Sequence, residues 1–148
     1  MCGTSSIRLL VVDDYEPWRR FLGTTFAKLP GLQIIGEASD GLEAVQKAQD
    51  LEPDIILLDI GLPKLDGIRA ALRIHELVPS AKILFVTQNS DADVVATVMN
   101  NGACGYLLKI DAGQELIAAI ETIIRGDRFV GKRLASQSSD SIRPSSQA

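Results

Sequence analysis

Five strand-length runs punctuate this chain: IRLLVV (7–12), LQIIGEA (32–38), DIILLD (54–59), KILFVT (82–87) and GYLLK (105–109). Several are apolar on consecutive residues, whereas a strand with one wet face alternates. Strands of this kind are covered on both faces, the usual condition of a parallel sheet in an α/β fold. Parallel neighbours cannot be joined by a tight turn. They need a crossover, usually a helix.

The segments between the runs supply those helices. The clearest follows Asp111, where Leu116, Ile117, Ile120, Ile123 and Ile124 form one stripe with Glu121 and Arg125 off it. Asp40 with Glu43, and Asp111 with Gln114, have the spacing of an N-cap and its reciprocal partner, and Pro17 suits a first helical turn. Helices are expected near 15–28, 41–51, 66–77, 91–101 and 112–125. Repeated strand–helix units with right-handed crossovers give a doubly wound α/β domain, a five-stranded parallel sheet with helices on both faces. The expected domain is 7–125, after an N-terminal extension at 1–6. From about Gly126 the pattern fades, and Ser136 to Ala148 is serine-rich with little apolar content, so 126–148 reads as a linker or disordered tail.

Composition removes several function classes. A chain of 148 residues forms one domain, burying roughly 70% of its unfolded surface. A net charge of -4 gives no general attraction to nucleic acid or to an anionic membrane, so no direct nucleic-acid contact is expected from this chain. Cys2 and Cys104 lack the spacing of a zinc site or redox pair and read as reduced thiols. The opening MCGTSSIRLLVVDD has too short an apolar segment for a signal peptide, and no later run approaches the roughly 20 residues that cross a bilayer. A cytoplasmic protein is expected.

In open α/β sheets, ligands bind beyond the carboxyl ends of the strands. Asp59 ends the third run, Asp13 and Asp14 follow the first, Thr87 ends the fourth and Lys109 the fifth. Singly, each has an ordinary explanation: an aspartate after a strand forms turns or caps helices, a threonine is at home in a strand, and a lysine is solvated. Gathered at one edge, they need another. Three carboxylates repel one another unless a cation compensates, and all-oxygen ligation suits a hard divalent ion such as Mg²⁺.

The motifs VVDDYEPWR, DIILLDIGLPKLDG, ILFVTQNSDAD and NGACGYLLK, in that order and spacing, resemble the receiver domain of two-component response regulators over residues 7 to about 125. The resemblance implies a flavodoxin-like sheet in the order 2-1-3-4-5. It makes Asp59 the phosphoacceptor for a sensor histidine kinase and gives Mg²⁺ the ligands Asp14, Asp59 and the Gly61 carbonyl, with Asp13 acting through water. Lys109 and Thr87 would contact phosphoryl oxygens, and Pro63 and Gly67 would shape the adjoining loop. Phosphorylation would draw in Thr87 and turn Tyr106 inward, switching partner binding. From sequence alone, an aromatic that merely packs on the fifth strand explains Tyr106 equally well. His75, at helical spacing from Ile68, Ala71 and Leu72, reads as a packing or surface residue.

Two positions depart from the commonest receiver pattern. Ile110 follows Lys109 where many receivers have proline, so no cis peptide is expected there. Gln88 is larger than the small residue usual after the threonine, and crowding of the phosphoryl oxygens is expected. GACGYLLK with AIETIIRGDRFVGKRLA looks most like receivers that precede a LuxR-type helix-turn-helix. The alternatives are a stand-alone receiver and the receiver part of a DNA-binding transcriptional regulator. A homodimer through the last helix is possible, although the same residues are needed to cover the sheet. A phosphate-ester hydrolase could also use an aspartate nucleophile, Mg²⁺ and a lysine. Such enzymes commonly place a general acid two residues after the nucleophile, and Gly61 stands there. The expectation is therefore a switch that catalyses its own phosphorylation and dephosphorylation, not an enzyme with a separate substrate.

Overall fold

A computed structural model of the protein describes residues 6–135. Strands and helices alternate in chain order: β1 (Ile7–Val12), α1 (Glu16–Ala27), β2 (Leu32–Ala38), α2 (Gly41–Leu51), β3 (Ile55–Leu58), α3 (Gly67–Leu77), β4 (Lys82–Thr87), α4 (Ala92–Asn100), β5 (Gly105–Leu108), α5 (Ala112–Ile124) and β6 (Phe129–Val130). All strand pairs are parallel, in the order β2-β1-β3-β4-β5-β6. The expected order is present with one strand added. The sixth strand carries no signal in the sequence because β6 is two residues long, too short for any periodicity to show.

The consecutive apolar runs are explained by the two faces of the sheet. Leu10, Val12, Ile56, Leu58, Phe85, Tyr106 and Leu108 pack in one core layer with side chains of α2, α3 and α4. Leu9, Val11, Ile55, Leu57, Leu84, Val86 and Leu107 pack in the other, with α1 and α5. Strand β2, at the sheet edge, is the exception, being only partly buried over most of its length. On α5 the buried positions are Ala112, Leu116, Ala119, Ile120 and Ile123, while Ile117 and Ile124 are 36% and 40% exposed. The expected isoleucine stripe is thus rotated, because two alanines share the face that meets the sheet.

Local capping follows the sequence at one helix and departs from it at another. Asp40 Oδ1 accepts the Glu43 amide at 2.8 Å, and the Glu43 side chain accepts the Ser39 amide, also at 2.8 Å. Asp111 does not cap α5. Residues Lys109–Asp111 form a 3₁₀ turn, and the Asp111 carboxylate accepts two hydrogen bonds of 3.1 Å from the Arg133 guanidinium.

That ion pair belongs to a segment that sequence analysis assigns to a linker. The Gly131 amide donates to the Tyr106 carbonyl at 2.9 Å, and Leu134 is buried in the same layer as Tyr106 and Leu108. The segment 126–135 therefore packs with the sheet. Residues 1–5 and the expected tail at 136–148 lie outside the described residues.

Candidate functional site

The carboxyl ends of β1, β3, β4 and β5 meet at one cleft. Asp14, Tyr15, Asp59, Ile60, Gly61, Thr87, Gln88, Asn89 and Lys109 line its volume of about 670 Å³. Asp13 lies beneath, 1% exposed. One oxygen from each of Asp13, Asp14 and Asp59 lies within 4.8 Å of the others. The residues singled out as metal ligands and phosphoryl contacts therefore converge as expected, with Tyr106 behind them on β5.

Two short contacts orient Asp13 and Asp59. Asp13 Oδ1 accepts the Tyr15 amide at 2.9 Å, and Asp59 Oδ1 accepts the Ile60 amide at 2.7 Å. The Lys109 ammonium stands 2.6 Å from Asp13 Oδ2 and 3.5 Å from Asp59 Oδ2. By distance the first contact is an ion pair, yet Asp13 Oδ2 has no well-directed hydrogen bond among the described residues. Burial pushes the Asp13 carboxyl above the ordinary range; Lys109 and the Tyr15 amide oppose this, and the Asp59 charge reinforces it.

A buried anionic oxygen without a directed donor, beside two further carboxylates, is a donor set that a hard divalent cation fits. Gly61, whose main-chain carbonyl the resemblance implies as a further ligand, lines the same cleft. Such an ion would relieve the repulsion that Lys109 and the Tyr15 and Ile60 amides now offset.

Glycine brings the β3 end and α3 together. A Cβ on Gly67 would stand 1.9 Å from the Asp59 carbonyl oxygen, so the start of α3 abuts the backbone of the candidate phosphoacceptor. The Gly67 amide closes the loop by donating to the Ile60 carbonyl at 2.8 Å, and the Pro63 carbonyl accepts from Leu65 at 2.7 Å. These contacts agree with the loop-shaping role expected for Pro63 and Gly67.

Thr87 is buried, and its hydroxyl oxygen accepts the Asn89 amide at 3.3 Å. The Tyr106 hydroxyl donates to the Asn89 carbonyl at 2.6 Å. Asn89 thus joins Thr87 to Tyr106 across the β4–α4 loop. The Tyr106 ring already stands inward, fully buried, with its centroid 6.0 Å from that of Phe85. Burial, then the charges of Asp59 and Asp91, raise its pKa strongly. Gln88 is exposed on the cleft wall. The Lys109–Ile110 peptide is trans, and Ile110 is 79% exposed. His75 is exposed on α3, with its ring packed over Gly102, which agrees with a packing role.

Sequence reasoning missed Asn89, the Tyr15 amide and Trp18, whose ring lies under the Lys109 ammonium. The first two act through backbone atoms, which carry no side-chain signal. Trp18 falls within the motif VVDDYEPWR, where its spacing alone points to no role.

Comparison with known proteins agrees with this geometry. The family described as response regulator receiver domain matches residues 9–121. The response regulator GacA of Pseudomonas viridiflava is 32% identical over 131 residues, which cover 88% of this chain and 61% of GacA. The transcriptional regulatory protein LiaR of Bacillus subtilis is 36% identical over 141 residues, covering 95% of this chain and 67% of LiaR. The chain thus spans about 61% of the length of GacA. Among solved structures, a LuxR-family two-component response regulator from Aurantimonas sp. SI85-9A1 superposes with a TM-score of 0.88 at 30% identity, covering 93% of this chain and 98% of that one. The receiver domain of Thermotoga maritima CheB gives 0.74 at 31% identity, with coverages of 82% and 96%. With its acidic cleft, its sheet order and the family match over most of its length, the chain belongs to the response regulator receiver domains of two-component systems.

Proposed function

We propose that Asp59 accepts a phosphoryl group from a phosphohistidine of a sensor kinase and that the resulting charge resets the β4–α4 loop to change partner binding. Asp59 Oδ2 attacks phosphorus, the P–N bond breaks as the P–O bond forms, and the released imidazole takes up a proton. The carrying observation is the meeting of three carboxylates within 4.8 Å with the Lys109 ammonium 3.5 Å from Asp59 Oδ2. The Ile60 amide engages Asp59 Oδ1 and leaves Oδ2 for attack.

Mg²⁺ held by Asp14, Asp59 and the Gly61 carbonyl, with Asp13 through water, would neutralise charge on the phosphoryl oxygens. Lys109 binds a phosphoryl oxygen from the other side. The Thr87 hydroxyl, already accepting from Asn89, keeps its own proton to donate. Movement of Thr87 reaches Tyr106 through Asn89, and so reaches β5. The phosphoryl group carries roughly 1.5 to 2 negative charges where the Asp59 carboxylate carried one, and its added charge and acceptor oxygens drive such a local rearrangement. The chain is then a switch acting on its own carboxylate, in the cytoplasm where kinase and nucleotide meet.

Acetyl phosphate with Mg²⁺, read by intact mass, tests this directly. One added phosphoryl group is expected on the wild type and none on Asp59→Asn; an equal gain by the Asn variant overturns the assignment. In the same assay Gln88→Ala should label and lose the group faster, because in-line attack tolerates little misplacement and an error of about 1 Å can cost on the order of 10²-fold.

A second reading concerns output. LiaR is a transcriptional regulatory protein and the Aurantimonas structure is of the LuxR family, which supports a receiver serving transcription. A full-length transcript checks for a following DNA-binding domain. Sedimentation with and without beryllofluoride checks whether phosphorylation drives a homodimer.

A further inference from the structure

The Lys109 ammonium has a third neighbour that is not a carboxylate: it lies 5.3 Å from the centroid of the Trp18 ring. Its side chain is 13% exposed, with Asp13 and Asp59 as its ion-pair partners. A lysine has a flexible four-carbon stem, and attraction alone draws its charge onto the nearest anion. Here that anion is Asp13, at 2.6 Å, and not the nucleophile, at 3.5 Å. The ring limits how far the ammonium can retreat from the cleft.

The ring is itself held. Trp18 lies in the first turn of α1 after Pro17, its amide donates to the Tyr15 carbonyl at 3.1 Å, and its body packs on the α1–α5 core layer. The Phe21 ring, one turn on, braces it at 5.4 Å between centroids. A tryptophan face attracts a cation without accepting a proton or binding Mg²⁺, and the attraction grows as water is excluded.

Resting on the assignment of Asp59 as phosphoacceptor, the geometry points to Trp18 as a positioning residue that keeps the Lys109 ammonium available to the phosphoryl group when a divalent cation takes over the carboxylates. Asp13 and Asp59 then hold the lysine less strongly, because their charge is shared with the metal. The indole face stays as it was. It links α1 to the end of β5, so the lysine is oriented from a different element than the one that carries it.

The test compares wild type, Trp18→Phe and Trp18→Leu in acetyl-phosphate labelling, with Mg²⁺ affinity measured separately. Trp18→Leu should label roughly fivefold to tenfold more slowly. Trp18→Phe should recover most of the rate, and Mg²⁺ affinity should hold in both variants, since no ligand is lost. Trp18 is also the only tryptophan of the chain. Its emission should change when Mg²⁺ and beryllofluoride are added to the wild type, and should not change in Lys109→Met at concentrations where fluorine NMR shows beryllofluoride bound to both. This second readout decides the matter even where Trp18→Leu folds poorly. A wild-type rate in Trp18→Leu, an equal loss in the Phe and Leu variants, or an emission change that survives in Lys109→Met overturns the inference while leaving Asp59 in place. Failure of the wild type to label at all overturns both.

Discussion

Asp13 is the residue on which opposed effects are best separated. Burial raises its pKa, while the Lys109 ammonium and the Tyr15 amide work against that rise. A raised pKa in the folded state means that folding favours the protonated acid. That contribution is fully present below the ordinary value of 3.8 and is lost as pH rises through the raised one. At neutral pH an ionised Asp13 therefore costs stability, a cost that a bound cation would offset. Asp13→Asn should raise the thermal midpoint in EDTA by a few degrees at pH 7, with the gain shrinking as pH is lowered toward 4. Melting followed by circular dichroism at both pH values checks this. A lower midpoint at pH 7 would mean that the ion pair with Lys109 outweighs desolvation. Positions at this scale were legible in the sequence wherever a charged side chain marked a strand end, as at Asp59 and Lys109. They were illegible where a backbone amide or carbonyl did the holding, as at Tyr15 and Asn89.

Between elements, the site depends on how closely α3 approaches the end of β3. The Cβ that alanine would place at residue 67 meets backbone atoms, the nearest 1.9 Å away, and backbone cannot step aside as a side chain can. Gly67→Ala should cost about 3 kcal/mol or more. Urea unfolding measures it, and a loss below about 1 kcal/mol would mean that α3 shifts freely. The contrast between two capping signals belongs to the same scale. Asp40 caps α2 as its spacing with Glu43 predicts. Asp111 has a similar spacing with Gln114 but is bound by Arg133, 22 residues away, and a 3₁₀ turn takes the place of the cap. A local pattern holds until a distant charge offers the same carboxylate a better partner.

For the whole molecule, the segment after α5 changes what counts as the folded unit. Strand β6 extends the sheet beside β5, and Leu134, 1% exposed, closes the core layer that holds Tyr106. We propose that the folded unit runs to at least residue 135. Leu134→Ala should then destabilise the protein by about 2–4 kcal/mol. Urea denaturation of the full chain reads this, and an unchanged midpoint would place the segment outside the cooperative unit. Because the Gly131 amide is bonded to the Tyr106 carbonyl, the same segment is attached to β5 at Tyr106.

By itself the sequence determined the alternation of strands and helices, the parallel sheet and the polar residues that meet at one edge. Those follow from hydrophobic periodicity and from the geometry of parallel strands, which are local and repetitive. Only the tertiary structure decided what those residues touch: Lys109 between two carboxylates and an indole, Tyr106 turned inward onto Asn89, Asp111 bound to Arg133, and a sixth strand with Leu134 in the core. Each depends on contacts between residues far apart in the chain, and such contacts are settled by packing and charge in three dimensions, where sequence spacing carries no information.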